Sequence, residues 1–338
     1  MARTLENRRR TVCATVVAAV VALSACNHAR PAIDPPAARA GERVQVLALD
    51  SGVTATIVAP VHLDPAKRVE LILYALPNGN STAQTMGRKL ADGMDWHFDI
   101  QHIGAQTRAL RARGLSNAIV VYLEADTKSW PEWRRIRGYE NANARIVSMV
   151  DRVRAAVGNP PGMSVTLTGH SGGGSFFWGF IDGQNALPDW LERIAFLDAN
   201  YSFEPRHGEK IAAWLRRSEH NTLVVLAYDD RNIMLDGKPV ITDSTGGTWR
   251  ASQRMMDYFR PSFTLAPDTL GEFLRYHGTQ IEFLLHPNPA NRILHTEMIG
   301  EMNGYMHAML VRRPDYDAGE SVLRTARAYR EWIETGPP

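Results

Sequence analysis

The sequence predicts an α/β fold, a doubly wound and mostly parallel sheet with helices on both faces. Three observations predict it. Short apolar, β-branched runs alternate with helix-like segments along most of the chain, the order in which right-handed crossovers build a parallel sheet. Those runs are continuously hydrophobic, as strands covered on both faces are. A glycine-flanked serine, Gly169-His170-Ser171-Gly172-Gly173, stands directly between one such run and a helical stretch.

The chain begins with an address. Arg8, Arg9 and Arg10 precede an apolar stretch over 11–23, which meets Leu23-Ser24-Ala25-Cys26. A basic start, a short apolar core and small residues before a cleavage point describe an export signal. The apolar stretch is too short to span roughly 30 Å of hydrocarbon comfortably. Its Leu-Ser-Ala-Cys ending resembles the bacterial lipobox. That resemblance implies removal of residues 1–25 and acylation of Cys26, and two or three acyl chains hold a protein where one binds only marginally. The expectation is an exported protein, lipid-anchored on the periplasmic or cell-surface side of a bacterial membrane. Residues 26–41 are rich in Pro and Ala without apolar periodicity and read as a tether. Residues 42–338 then form one large domain.

The whole chain carries a formal charge of +2, and loss of four arginines and Glu6 with the signal leaves −1. That balance gives no electrostatic case for nucleic-acid binding. Both cysteines, Cys13 and Cys26, lie in the targeting segment. The body therefore has no disulfide, no thiol nucleophile and no Cys-based metal site.

The elements follow in order. Residues 44–49 and 53–58 read as a hairpin turning at Asp50-Ser51-Gly52. Buried strands are expected at 71–76, 118–123, 164–168, 193–197 and 222–227, with helices at 141–156, 173–182, 209–217, 249–259 and 269–276. Residues 232–247 read as a small hairpin around Asp236-Gly237. Two strands, 281–285 and 293–299, and a helix over 321–333 close the chain.

The serine motif carries the chemistry. A strand-to-helix turn this tight strains the backbone at its tip, so its neighbours must be small, and it raises the serine oxygen above the sheet. The Gly172 N–H then faces a developing oxyanion at the start of the next helix. A phosphate loop would need the Lys-Ser/Thr ending that is missing here. With this turn set in this strand order, the chain resembles the α/β-hydrolase superfamily from residue 44 onward. The resemblance implies an α/β-hydrolase fold and an acyl-enzyme on Ser171, with the acid and then the histidine following the serine in the chain. For the acid, Asp230 after strand 222–227 is the first choice, with Asp229 and Asp198 as competitors. For the base, His307 is the first choice, and His295 and His286 stay open. A second oxyanion donor is expected in Pro77-Asn78-Gly79-Asn80-Ser81, at Gly79 or Asn80. The resemblance implies no cofactor, and a small-molecule or envelope-polymer ester as substrate. The rival reading is a non-catalytic binding lipoprotein that kept the fold.

Two further segments bear on the site. His97, Asp99 and His102 are spaced for neither face of a helix nor of a strand and show no zinc-ligand pattern. No metal is expected, and the segment reads as a wall of the cleft or a packed connection. Trp130 and Trp133 read equally as pocket lining or core.

Overall fold

The computed structural model describes residues 41–50, 52–313 and 322–336. The proposed signal, Cys26, nearly all of the tether and Ser51 lie outside the described residues. Strands β1 (Glu42–Asp50), β2 (Val53–Pro60) and β3 (Glu70–Ala75) lead into helices α1 (Thr82–Met86) and α2 (Ile103–Ala112). Then come β4 (Ala118–Ala125), α3 (Trp130–Arg137), α4 (Tyr139–Ala156), β5 (Ser164–His170) and α5 (Gly174–Asp182). They are followed by β6 (Leu191–Leu197), α6 (Pro205–Arg217), β7 (Thr222–Tyr228), the small hairpin β8 (Met234–Leu235) and β9 (Lys238–Pro239), and α7 (Thr248–Phe259). The last elements are β10 (Ala266–Leu270), β11 (Phe273–His277), β12 (Ile281–His286) and α8 (Gly304–Leu310).

Ten strands form one sheet in the order β1-β2-β4-β3-β5-β6-β7-β12-β11-β10. From β4 to β12 the neighbours are parallel, while β1, β2, β10 and β11 join antiparallel at the two ends. Alternation along one strand shows why the central runs are wholly apolar. Leu71, Leu73 and Ala75 of β3 face one core with residues of α3 to α7, such as Trp133, Ile146, Phe176, Trp214 and Met255. Ile72 and Tyr74 face the other, with Met86, Leu110 and Met309 of α1, α2 and α8. A strand buried on both sides has no polar face to show.

Three expected elements differ. Residues 269–276 are the β10–β11 hairpin and not a helix: Leu270 pairs with Phe273 across the two-residue turn Gly271-Glu272, with Gly271 at φ 59°. Residues 293–299 are no strand, because β12 is already paired with β7 on one side and β11 on the other. The closing helix over 321–333, of which Ser321 lies outside the described residues, is replaced by two 3-10 turns, Val322–Arg324 and Arg330–Trp332. Tertiary contacts hold the chain between them: Arg327, at φ 44°, bonds Glu301 at 2.6 Å and Asp99 at 2.7 Å. Asn303 accepts from Ala328 N–H at 2.7 Å and donates to the Val322 carbonyl at 2.8 Å.

One edge strand bears breakers. On β10, Pro267 and Asp268 stand exposed at the open edge of the sheet. Among the described residues no helix is long and apolar enough to cross a membrane.

Candidate active site

The Ser171 backbone has φ 54°, left-handed for a residue with a side chain, directly after β5 and in a 3-10 turn that runs into α5. The glycines around it are dictated by contact. A Cβ on Gly169 or Gly173 would overlap the Ala75 carbonyl of β3, and one on Gly172 would overlap the Asn78 side chain. The turn is thus wedged against the end of β3, which tips the serine up into a cleft of about 750 Å³ shared with Gly172, Asn78 and Tyr201. The Tyr201 phenol lies near the Ser171 side chain, and loss of water around the hydroxyl, followed by the nearby Asp198 charge, pushes its pKa well up.

Beside this turn stands a histidine–carboxylate pair. His295, in the loop after β12, gives its Nδ1 proton to Asp198 Oδ2 at 2.5 Å. Asp198 follows β6, is buried, and sits at φ 47°. Its other oxygen accepts from the Thr248 hydroxyl at the start of α7. His170, the residue before Ser171, holds His295 in place: its Nε2 donates to the His295 carbonyl at 2.9 Å, and the two rings lie 4.3 Å apart. Burial and, next, the neighbouring His295 push the His170 pKa well below the usual imidazole range. It therefore favours the neutral form beside the His295 ring.

The structure thus brings His295 and Asp198 together, with the His295 ring against that of His170, the residue before Ser171, and places the first-choice acid and base elsewhere. Asp230 does follow β7, but it points at the first turn of α7, where Oδ2 accepts from Thr248 N–H at 2.8 Å. Burial and then the charge of Asp198 raise its pKa to about 6. Asp229 is tied to Arg231 at 2.6 Å. His307 lies in α8 at the opposite end of the sheet, fully buried, with Nε2 2.6 Å from Glu282 Oε1 near the start of β12. There burial raises the Glu282 pKa, but His307, Arg275 and Arg312 together hold it down at about 2. His286 accepts Asn288 N–H at 3.0 Å and faces Glu272 at 3.3 Å.

The expected donor Gly79 is also occupied, since its N–H bonds the Lys128 carbonyl at 2.8 Å. Asn78 is the loop residue that touches Gly172 and lines the cleft. The loop itself is fixed from below. Ser81 and Gln84 cap α1 reciprocally, and Glu124 accepts from Thr82 N–H at 2.7 Å.

Trp130 and Trp133 are core residues, with Trp130 packed against Phe176, and from α3 Pro131 and Arg134 reach the cleft. The segment around residues 95–102 forms no part of the cleft wall. His97 pairs with Asp95 and His102 with Asp99, both at 2.6 Å, and Asp99 is bound by Arg327. Among the described residues no three His, Cys, Asp or Glu side chains gather as metal ligands. Sequence reasoning missed Thr248, Tyr201 and His170. Of these, only His170 sat within a motif that could have drawn attention.

No protein-family model matches the sequence, and no curated protein matches it. Solved structures align with it at low identity. A thermostable esterase aligns over 85% of this chain and 64% of its own, at a TM-score of 0.48 and 12% identity. The chain thus spans less than two thirds of that protein. An esterase of Thermogutta terrifontis aligns over 82% of this chain and 97% of its own, at 0.42 and 11%. For a putative carboxylesterase of Lactobacillus plantarum the shares are 73% and 85%, at 0.36 and 14%. With its strand order, its antiparallel start, and a serine on a left-handed turn between β5 and α5, the chain has the α/β-hydrolase fold.

Proposed function

We propose that the protein is a serine hydrolase that cleaves an ester through an acyl-enzyme on Ser171, with His295 as base and Asp198 as its orienting acid. The observation that carries this is the 2.5 Å bond from His295 Nδ1 to Asp198, with the His295 ring packed against His170, the residue before a serine at φ 54°. That bond fixes the tautomer, leaving Nε2 unprotonated as the acceptor for the serine proton. Ser171 Oγ attacks the carbonyl carbon as its proton passes to His295 Nε2. The new oxyanion is met by the N–H groups of Gly172 and Asn78. His295 then hands its proton to the departing alcohol oxygen as the C–O bond breaks. Water, deprotonated by the same nitrogen, releases the acid. An amide follows the same course with an amine leaving. The lipobox-like segment supports a lipid-anchored, exported protein, so that the ester would be met outside the cytoplasm.

The test is labelling with a fluorophosphonate and turnover of 4-nitrophenyl acetate. Wild type should label and Ser171→Ala should not, with kcat lowered by roughly 10³–10⁶. Folded wild-type protein that neither labels nor turns over would return the chain to a binding role.

A further inference from the structure

The cleft leaves Ser171 along α5. Ser175, Trp178 and Asp182 fall on one face of that helix and form its floor. Seven helical steps separate the first from the last, roughly 10 Å. At the far end, Asp182 meets His207 at 3.1 Å, Arg206 at 3.4 Å and Arg134 at 3.6 Å, and Glu204 meets Arg206 at 3.2 Å. His207 Nδ1 accepts Glu204 N–H at 3.1 Å, so its Nε2 proton goes to Asp182. Two guanidiniums thus face two carboxylates around the His207 ring.

An array without net charge has little to offer an ion. Laid against an alkyl chain, it would lose water and gain nothing. Interleaved donors and acceptors suit adjacent hydroxyls, each of which both gives and takes a hydrogen bond. The parts divide the work. Arg134 is buried and its donors go to the Ser175 carbonyl at 3.0 Å and Asn143 at 2.8 Å, so it is scaffold. The side chains of Arg206 and Glu204 are 57% and 53% exposed, and Arg206 has no contact shorter than 3.2 Å, so both heads can turn to a ligand. Tyr139 and Tyr201, also on the cleft, expose aromatic surface that can cover the apolar face of a ring.

We infer that the far end of the cleft is a subsite for a polyhydroxylated group, read by Arg206 and Glu204, and that the alcohol half of the ester is a sugar or similar polyol. The alcohol half of an ester supplies the bridging oxygen, and it leaves by taking the His295 proton on that oxygen. The inference rests on the esterase reading above. It is tested by acetate release from matched pairs: methyl 6-O-acetylglucoside against cyclohexylmethyl acetate, and 1-acetylglycerol against propyl acetate. In wild type, kcat/KM should favour the hydroxylated member of at least one pair roughly tenfold or more, as hydrogen bonds to charged groups imply. Arg206→Gln and Glu204→Gln, at exposed positions, should each shrink that ratio severalfold. Cleavage of 4-nitrophenyl acetate without preference in either pair, or a preference that both variants keep, overturns the subsite and leaves the hydrolase standing. Failure to cleave any ester, with no fluorophosphonate labelling, removes the hydrolase reading itself.

Discussion

At the scale of single residues, the site separates two histidines and two aspartates by what each one touches. His295 and His307 each hold a carboxylate, at 2.5 and 2.6 Å, yet only His295 packs against His170, next to Ser171 in the chain. His295→Gln should therefore remove turnover while the thermal midpoint hardly moves. His307→Ala should do the reverse. It breaks a fully buried pair and should lower stability by about 3 kcal/mol, read by urea denaturation, with kcat of the folded enzyme kept. Asp198 and Asp230 differ likewise. The folded pKa of Asp230, about 6, lies above the ordinary aspartate value, so its favourable contribution is full below pH 4 and fades as pH rises through 6. Between pH 4 and 7.5 the wild type should lose about 2–3 kcal/mol relative to Asp230→Asn, whose amide oxygen can still accept Thr248 N–H. Equal pH slopes for the two proteins would remove the raised carboxyl from the account. Asp198→Asn should instead cut kcat by orders of magnitude, by favouring the wrong tautomer of His295.

At the scale of elements, the serine turn works because β3 and β5 come close enough that only glycine fits between them. Gly169→Ala drives a Cβ into backbone of β3, which cannot yield, and should give little soluble protein. Gly172→Ala meets only the exposed Asn78 side chain, so it should fold and label slowly with fluorophosphonate as the Asn78 loop is displaced. The same scale explains what could be read beforehand. Ser171 was legible because strand, glycine, serine and helix must follow one another in sequence. Asp198 and His295 were legible only as alternatives, since each sits in an irregular loop and their pairing spans 97 positions. Residues 293–299 are rich in β-branched and apolar side chains, which imitates a strand. What local pattern could not show is that both sides of β12 were already taken. The β10–β11 hairpin did leave a signal: Leu270-Gly271-Glu272-Phe273 has the glycine a tight two-residue turn favours. Gly79 was misjudged because a donor in the right loop can already be engaged, here by a carbonyl after β4.

At the scale of the whole molecule, the sheet sets the candidate site at the carboxyl ends of its parallel strands, and the proposed lipid anchor bears on where the protein would work. If Cys26 carries acyl chains, Cys26→Ser should move the protein from the membrane pellet to the soluble fraction while its specific activity is kept. A Cys26→Ser protein that stays in the pellet would count against lipidation. The proline and aspartate on β10 have a consequence for handling and for crowding. A ten-strand ribbon with open ends could add strands from another copy indefinitely, and a missing N–H beside a charge makes that zippering unfavourable. Replacing both, Pro267→Val with Asp268→Val, should leave each molecule active yet let solutions scatter light and seed β-rich fibrils, an outcome that thioflavin fluorescence would record.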